Sequence, residues 1–225
     1  MRASLLTYTP NAEEVVAIAA KICYSSLPIH SITTGEDTAQ FLQKLRTMGH
    51  LSPFEHVSFT FLISGISRAC SHQLIRHRIA SYSQRSQRYV QDTNPEFIEP
   101  ESISKSKQST TYKVALKLAY GHYLQLISEG VPEEDARFVL PNACDTQLMM
   151  TMNARELIHF CQTRLCNRAQ WEIRKLATLI AGAIIKECPN LFRGITVPPC
   201  LYDNSCPEGP FRCKTPVPDE IRAFL

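Results

Sequence analysis

At 225 residues, with 44% hydrophobic and 20% charged side chains, the chain is long enough to bury a substantial core and too apolar to be disordered. A net charge of +3 is too small for charge alone to mark a nucleic-acid binder, and no stretch approaches the roughly 18 apolar residues of a membrane span. Nine cysteines, an odd number with no secretory leader pattern ahead of them, read as free thiols of a reducing, cytoplasmic compartment.

Residues 4–8 suit a short edge strand. From Ala12 to Cys23 the apolar side chains Val15, Ile18, Ala19 and Ile22 recur at three and four residues, an amphipathic helix, and Glu36 to Met48 repeats the pattern before Gly49. His56 to Ile63 alternates, with Val57, Phe59, Phe61 and Ile63 on one face of a strand. Ser67 to about Arg76 turns helical, and the polar run from Ile79 to Gln91 reads as a loop. After a Ser/Lys linker, Ser102 to Gln108, the longest periodic segment runs from Thr110 to Glu129, closed by Gly130. A short helix fits Pro132 to Val139, a strand Asp145 to Met152, and two further helices Ala154 to Leu165 and Ala169 to Glu187. Seven prolines and three cysteines between Pro189 and Pro218 suggest an irregular tail that wraps the surface. The expected class is α+β, helices packed on a small, mostly antiparallel sheet. With no Gly-x-Gly-x-x-Gly in the chain, a Rossmann fold is not expected.

Between His56 and Gln91 there is no Asp, Glu or Lys, yet there are five arginines, Arg68, Arg76, Arg78, Arg85 and Arg88. Arginine used throughout, rather than lysine, suits planar, bidentate recognition of phosphate or carboxylate. The interleaved Gln73, Ser81, Ser83, Gln84, Ser86 and Gln87 both donate and accept, so the segment suits a ligand with an anionic end and an amide-like edge. On composition alone two other readings stand: a solvated basic surface, and an RNA- or single-strand-binding module using residues 68–91. Only Tyr82 and Tyr89 serve the latter as stacking platforms.

The spacing is more specific. Arg76-His77-Arg78, seven residues, then Ser86 resembles the defining motif of the flavin-dependent thymidylate synthases, and the wider string RHRIASYSQRSQRY is similar to that family nearly throughout. Further elements resemble it in order: Gly49-His50-Leu51-Ser52-Pro53-Phe54-Glu55-His56, Val131-Pro132 through Leu140-Pro141, Asn153-Ala154-Arg155 with His159-Phe160 and Arg164, and Ala169-Gln170-Trp171-Glu172-Ile173. The resemblance covers roughly residues 10 to 190. It implies a catalytic domain over 1–190 and a Pro/Cys-containing tail over 191–225.

The resemblance implies reductive methylation of dUMP to dTMP in a homotetramer that binds neither nucleic acid nor membrane. FAD, methylenetetrahydrofolate and NADPH would serve as hydride carrier, one-carbon donor and reductant. Flavin contacts carry over to Ser52, Arg76, His77, Arg78, Gln84, Asn153, Ala154, Arg155 and His159. Arg155 and His159, four apart, would share one helix face; alone, Asn153 reads as an N-cap and His159 as a core histidine. For dUMP the pattern points to Gln73, Leu74, Ile75, Arg76, Gln84, Arg85, Ser86, Gln87, Arg88, Arg137 and Arg164, with Ser86 and Arg88 on the phosphate. Arg164 would activate the uracil ring through its fixed positive charge, without a cysteine nucleophile. Taken alone, Arg137 is as well explained by an ion pair with Glu133 or Glu134.

Three positions depart from the commonest pattern of the family: Gln84 in place of Glu, Arg168 in place of His, and Cys23 in place of Ser. The tail's Cys200, Cys206 and Cys213 lack a Cys-x-x-Cys pair and a neighbouring His, so no metal site is expected.

Overall fold

A computed structural model of the chain describes residues 1–35, 37–91 and 96–225. The strands β1 (Arg2–Tyr8), β2 (Ser58–Ser67), β3 (Ala80–Gln84) and β4 (Asp145–Asn153) make one antiparallel sheet in the order β1-β2-β4-β3. β1 is an edge strand, as its short apolar run suggests. Helices take up most of the remaining ordered chain, so the class is α+β. No helix among the described residues is long and apolar enough to cross a membrane.

Except for α4, the helices follow the expected periodicity: α1 (Ala12–Ile22), α2 (Thr38–Thr47), α3 (Arg68–Leu74), α4 (Glu101–Ser104), α5 (Ser109–Ser128), α6 (Glu133–Ala136), α7 (Ala154–Arg164) and α8 (Trp171–Glu187). Asp37, the N-cap of α2, accepts a hydrogen bond from the Gln40 N–H, so α2 starts after it; the expected start at Glu36 lies outside the described residues. α3 ends at Leu74, before the expected Arg76. Gly130, with φ +84°, follows α5 in the left-handed region that a glycine enters without strain. The short α4 occupies the start of the expected linker.

Two expectations are corrected. The run Ile79 to Gln91 is not all loop, because Ala80–Gln84 forms β3. Of its half-buried residues, Ala80 is small and Tyr82 and Gln84 are met by hydrogen bonds, so it lacks the apolar alternation that marks a strand. The tail is not merely wrapped around the surface. It forms α9 (Pro189–Phe192), α10 (Pro199–Tyr202) and α11 (Asp219–Arg222), and buries Leu191, Phe192, Val197 and Ile221.

The chain divides into two compact units: residues 1, 63–76 and 83–149, and residues 2–62, 77–82 and 150–225. In the second unit α8 packs on β1, α7 and α9, and the turn Ser52–His56 packs on α1 and α7. Ile173, Leu176, Ala177, Ile180, Ala181 and Ile184 form one fully buried stripe of α8. Each such Leu or Ile contributes about 1.5–3 kcal/mol by leaving water. Gln170 caps that helix by accepting from the N–H groups of Glu172 and Ile173. In the first unit α5 packs on α4, α6 and the 3-10 turn Arg137–Val139.

β2 carries a kink. Its alternation buries Phe59, Phe61 and Ile63, then Ile66 three residues later instead of two. Between them Gly65 has φ +68°, and a Cβ there would come 2.7 Å from the backbone nitrogen of Met1. Only glycine meets both conditions.

Candidate active site

In the second unit the site begins with α7. Asn153 Oδ1 accepts the Glu156 N–H at 2.8 Å, which makes Asn153 the N-cap. The cap and the apolar face of Ala154, Leu157, Ile158, Phe160 and Cys161 fix the helix rotation. Arg155 and His159 are then exposed on one side, while Glu156 is turned inward. Glu55, from the turn Ser52–His56, pairs with Arg155. A cleft of about 540 Å³ is lined by Leu51, Glu55, Ile79, Asn153, Arg155, Glu156, Ile158, His159 and Gln162, within the size range of small-molecule sites. Ser52 and Arg78 are exposed in the same unit, and Ala154 is fully buried, its N–H on the Val57 carbonyl.

His77 and Glu156 are the buried polar pair of the site, each 6% exposed. His77 Nδ1 lies 3.0 Å from Glu156 Oε1 and its Nε2 3.0 Å from Arg164 Nε. An arginine only donates, so Nε2 is the acceptor and Nδ1 carries the proton given to Glu156. Two partners therefore specify one tautomer of a neutral ring. Burial pushes the imidazole below its ordinary proton affinity, with Arg164 and His159 adding to that and Glu156 opposing it. The ring meets Phe160 edge-on, at 5.0 Å between centroids. Tyr82 donates to the His77 carbonyl at 2.9 Å, and burial followed by the Glu156 charge raises its phenol. His77, Glu156 and His159 bring ligand-type atoms within 4.8 Å of one another. The Arg164 guanidinium on Nε2 opposes a second cation there.

The first unit holds most of the residues expected around the nucleotide. Gln84 Nε2 donates to Ser71 Oγ at 2.9 Å and Thr146 Oγ1 at 3.1 Å, two buried hydroxyls. Ser86 Oγ accepts the Arg88 N–H at 3.0 Å, a local turn. Arg88 pairs with Glu134, and Arg137 Nε donates to the Glu134 carbonyl at 3.0 Å, so the two arginines meet at one residue. That carbonyl bond is Arg137's link to Glu134, where the sequence allowed an ion pair. Gln73 and Gln87 are half-buried; Ile75, Arg76 and Arg85 are exposed. Leu74 is fully buried, so its side chain is out of reach of any ligand.

Glu156, Tyr82, Glu55 and Arg68 were not expected in these clusters. Arg68 starts α3 with its N–H on the Cys144 carbonyl at 2.9 Å, and burial, then the Arg137 charge, lower its proton affinity. Its membership of the acid-free run was the available signal. Glu156 had none, since one Glu in a helix reads as solvated.

A profile of the family described as thymidylate synthase complementing protein matches residues 4–190. The flavin-dependent thymidylate synthase of Geobacter sulfurreducens is 48% identical over 219 residues, 95% of this chain and 94% of that one. The protein of the same name from Clostridium tetani is 44% identical over 233 residues, 95% and 93% of the two chains. That from Pyrococcus furiosus is 40% identical over 220 residues, 92% and 90%.

Proposed function

The chain belongs to the flavin-dependent thymidylate synthase family, and from that premise we propose that it converts dUMP to dTMP with methylenetetrahydrofolate and NADPH as co-substrates. Residues 1–190 form the catalytic domain on this reading and 191–225 its tail. The observation that carries the proposal is the relay Glu156–His77–Arg164 in the unit that holds the cleft beside Asn153, Arg155 and His159.

The cleft fits a flavin by its chemistry. Leu51, Ile79 and Ile158 offer apolar surface to a ring system, while Arg155 and His159 offer donors to phosphate or to a heterocycle edge. By the family's pattern Ser52, Arg76, Arg78, Gln84 and Ala154 are further proposed flavin contacts, and His77 is one through its backbone, since both its ring nitrogens are engaged. FAD, when bound, supplies the hydride.

The protein's own work is electrostatic. The Arg164 guanidinium, placed at the uracil imide, favours enolate character in the ring and so raises electron density at the carbon to be methylated. No cysteine attacks the ring. His77 and Glu156 are positioning residues: the acceptor at Nε2 fixes the plane of a long side chain that would otherwise sample many rotamers. Gln73, Leu74, Ile75, Arg76, Gln84, Arg85, Ser86, Gln87, Arg88 and Arg137 bind the nucleotide, with Ser86 and Arg88 on its phosphate. Exchanging Glu134 for phosphate keeps Arg88 in a charge-assisted pair.

Self-association, which the family's pattern makes a homotetramer, would cover Val114 and Leu118, one turn apart on α5 and 51% and 60% exposed. Nine free thiols suit a cytoplasmic location. The test is dTMP formation by the FAD-loaded protein from dUMP, methylenetetrahydrofolate and NADPH, each omitted in turn. Product only with all three supports the reading. Flavin retention without product, or salt-sensitive polynucleotide binding in place of flavin binding, would sink it.

A further inference from the structure

The tail's three cysteines lacked a fourth ligand in sequence, and the fold supplies one. Cys166 lies just beyond α7, and the two residues after it tie down the tail. Asn167 Nδ2 donates to the carbonyls of Thr215 and Pro216, both at 3.0 Å. Arg168 pairs with Glu208 at 2.9 Å, donates to the Phe211 carbonyl and lies over the Phe211 ring. Those anchors bracket Cys213 on both sides and follow Cys206. Cys200 sits on α10, which Gln162 of α7 holds by donating to the Tyr202 hydroxyl at 3.2 Å. The segments that carry these four cysteines, at sequence positions up to 47 apart, are thus all anchored to α7 or to the residues just after it.

Their surroundings differ from those of packed thiols. Cys70, Cys144, Cys161 and Cys188 are buried, whereas Cys166, Cys200, Cys206 and Cys213 are each half-buried. Between Asp203 and Pro216 the only large apolar side chain is Phe211, itself 71% exposed. Hydrophobic burial therefore does little to order this segment. Its backbone nonetheless makes tight turns, with Asn204 and Gly209 at positive φ and the Ser205 N–H on Asp203 Oδ1 at 2.8 Å.

We propose that Cys166, Cys200, Cys206 and Cys213 form a tetrathiolate site for a structural zinc ion that staples the tail to the end of α7. Zinc favours four-coordinate sulfur ligation, and such a site contributes folding free energy to segments with little core of their own. Binding displaces the thiol protons to solvent, with no redox step. The Cys200 thiol is raised by burial and then by the negative charge that Cys166, Cys206 and Cys213 would carry. A divalent cation removes that mutual repulsion. Among the described residues only His77, Glu156 and His159 place three ligand-type atoms within 4.8 Å, so tetrahedral ligation by the thiols requires them to draw closer on binding.

The test uses the full-length, untagged chain purified under reducing conditions without chelator, with metal measured by mass spectrometry. Expected is about one zinc per chain, kept by Cys23→Ser and by Glu156→Gln and lost in Cys166→Ser and Cys206→Ser. Loss of zinc in Glu156→Gln with retention in Cys166→Ser would assign the metal to the histidine cluster and overturn the proposal. So would metal-free protein that takes up no added Zn²⁺, or a disulfide linking any two of the four cysteines in the reduced preparation. If the serine variants fail to fold, apoprotein titrated with Co²⁺ decides. Intense thiolate-to-cobalt charge transfer with tetrahedral visible bands supports the site, and their absence sinks it.

Discussion

Glu13 on α1 accepts two hydrogen bonds from Asn190 on α9, from its backbone N–H at 2.9 Å and its side-chain amide at 2.8 Å. One carboxylate thereby ties the first helix to a residue 177 positions later. Bonds to a charged acceptor contribute on the order of 1.5–3 kcal/mol. Glu13→Ala should lower the free energy of unfolding by an amount in that range, read as a lower urea midpoint with the m-value unchanged. An unchanged midpoint would show that the pair contributes nothing.

Protonation of His77 should be coupled to unfolding. Burial lowers its proton affinity in the folded chain, so the unfolded state binds the proton more readily. The contribution to stability is therefore complete above roughly pH 6.5, the unfolded value. It declines as pH falls below that and is gone once pH passes the folded value. The titratable and charged groups facing the ring are Glu156, His159 and Arg164, with the Tyr82 hydroxyl on the His77 backbone carbonyl. Urea unfolding of wild type should weaken more between about pH 7.5 and 5.5 than that of His77→Gln. Parallel pH curves for the two proteins would contradict it.

If His77 acts through Arg164, the two should not be independent in turnover. Arg164→Ala should lose kcat while keeping FAD. His77→Leu, at saturating FAD, should lose about 10²-fold in kcat, the scale of a small misplacement, with little change in KM for dUMP. In the Arg164→Ala background the same change should cost nothing more. Glu156→Gln, which keeps an acceptor for Nδ1–H, should retain more activity than Glu156→Leu. Near-normal turnover of Arg164→Ala removes the role given to Arg164. Independent, multiplying losses remove only the relay.

The nucleotide and flavin sets separate by substitution. Ser86→Ala with Arg88→Ala should weaken dUMP binding by at least about 10-fold, one charge-assisted bond, and leave FAD affinity close to wild type. Calorimetric titration of each ligand checks this. Equal losses for both would break the phosphate assignment.

Helices and the main strand were legible because burial imposes a period: Val57, Phe59, Phe61 and Ile63 all point inward, as their alternation demands. β3 was not, because its inward side chains, Tyr82 and Gln84, are satisfied by hydrogen bonds instead of apolar contacts. Motif spacing carried the family and most of the arginines. It could not show that His77 is locked between Glu156 and Arg164, since the partners of a buried polar group come from the fold. Nor could it assign Arg168, which the structure uses to anchor the tail through Glu208 and Phe211.

The kink at Gly65 has a consequence for anyone recombining this chain with its relatives. Strand phase inverts at that residue, so inward positions are odd-numbered up to Ile63 and even-numbered at Ile66. A crossover placed within β2 keeps both halves in frame only if the donor bends at the same point. A straight donor strand would present its apolar stripe to water along one half, however similar its composition.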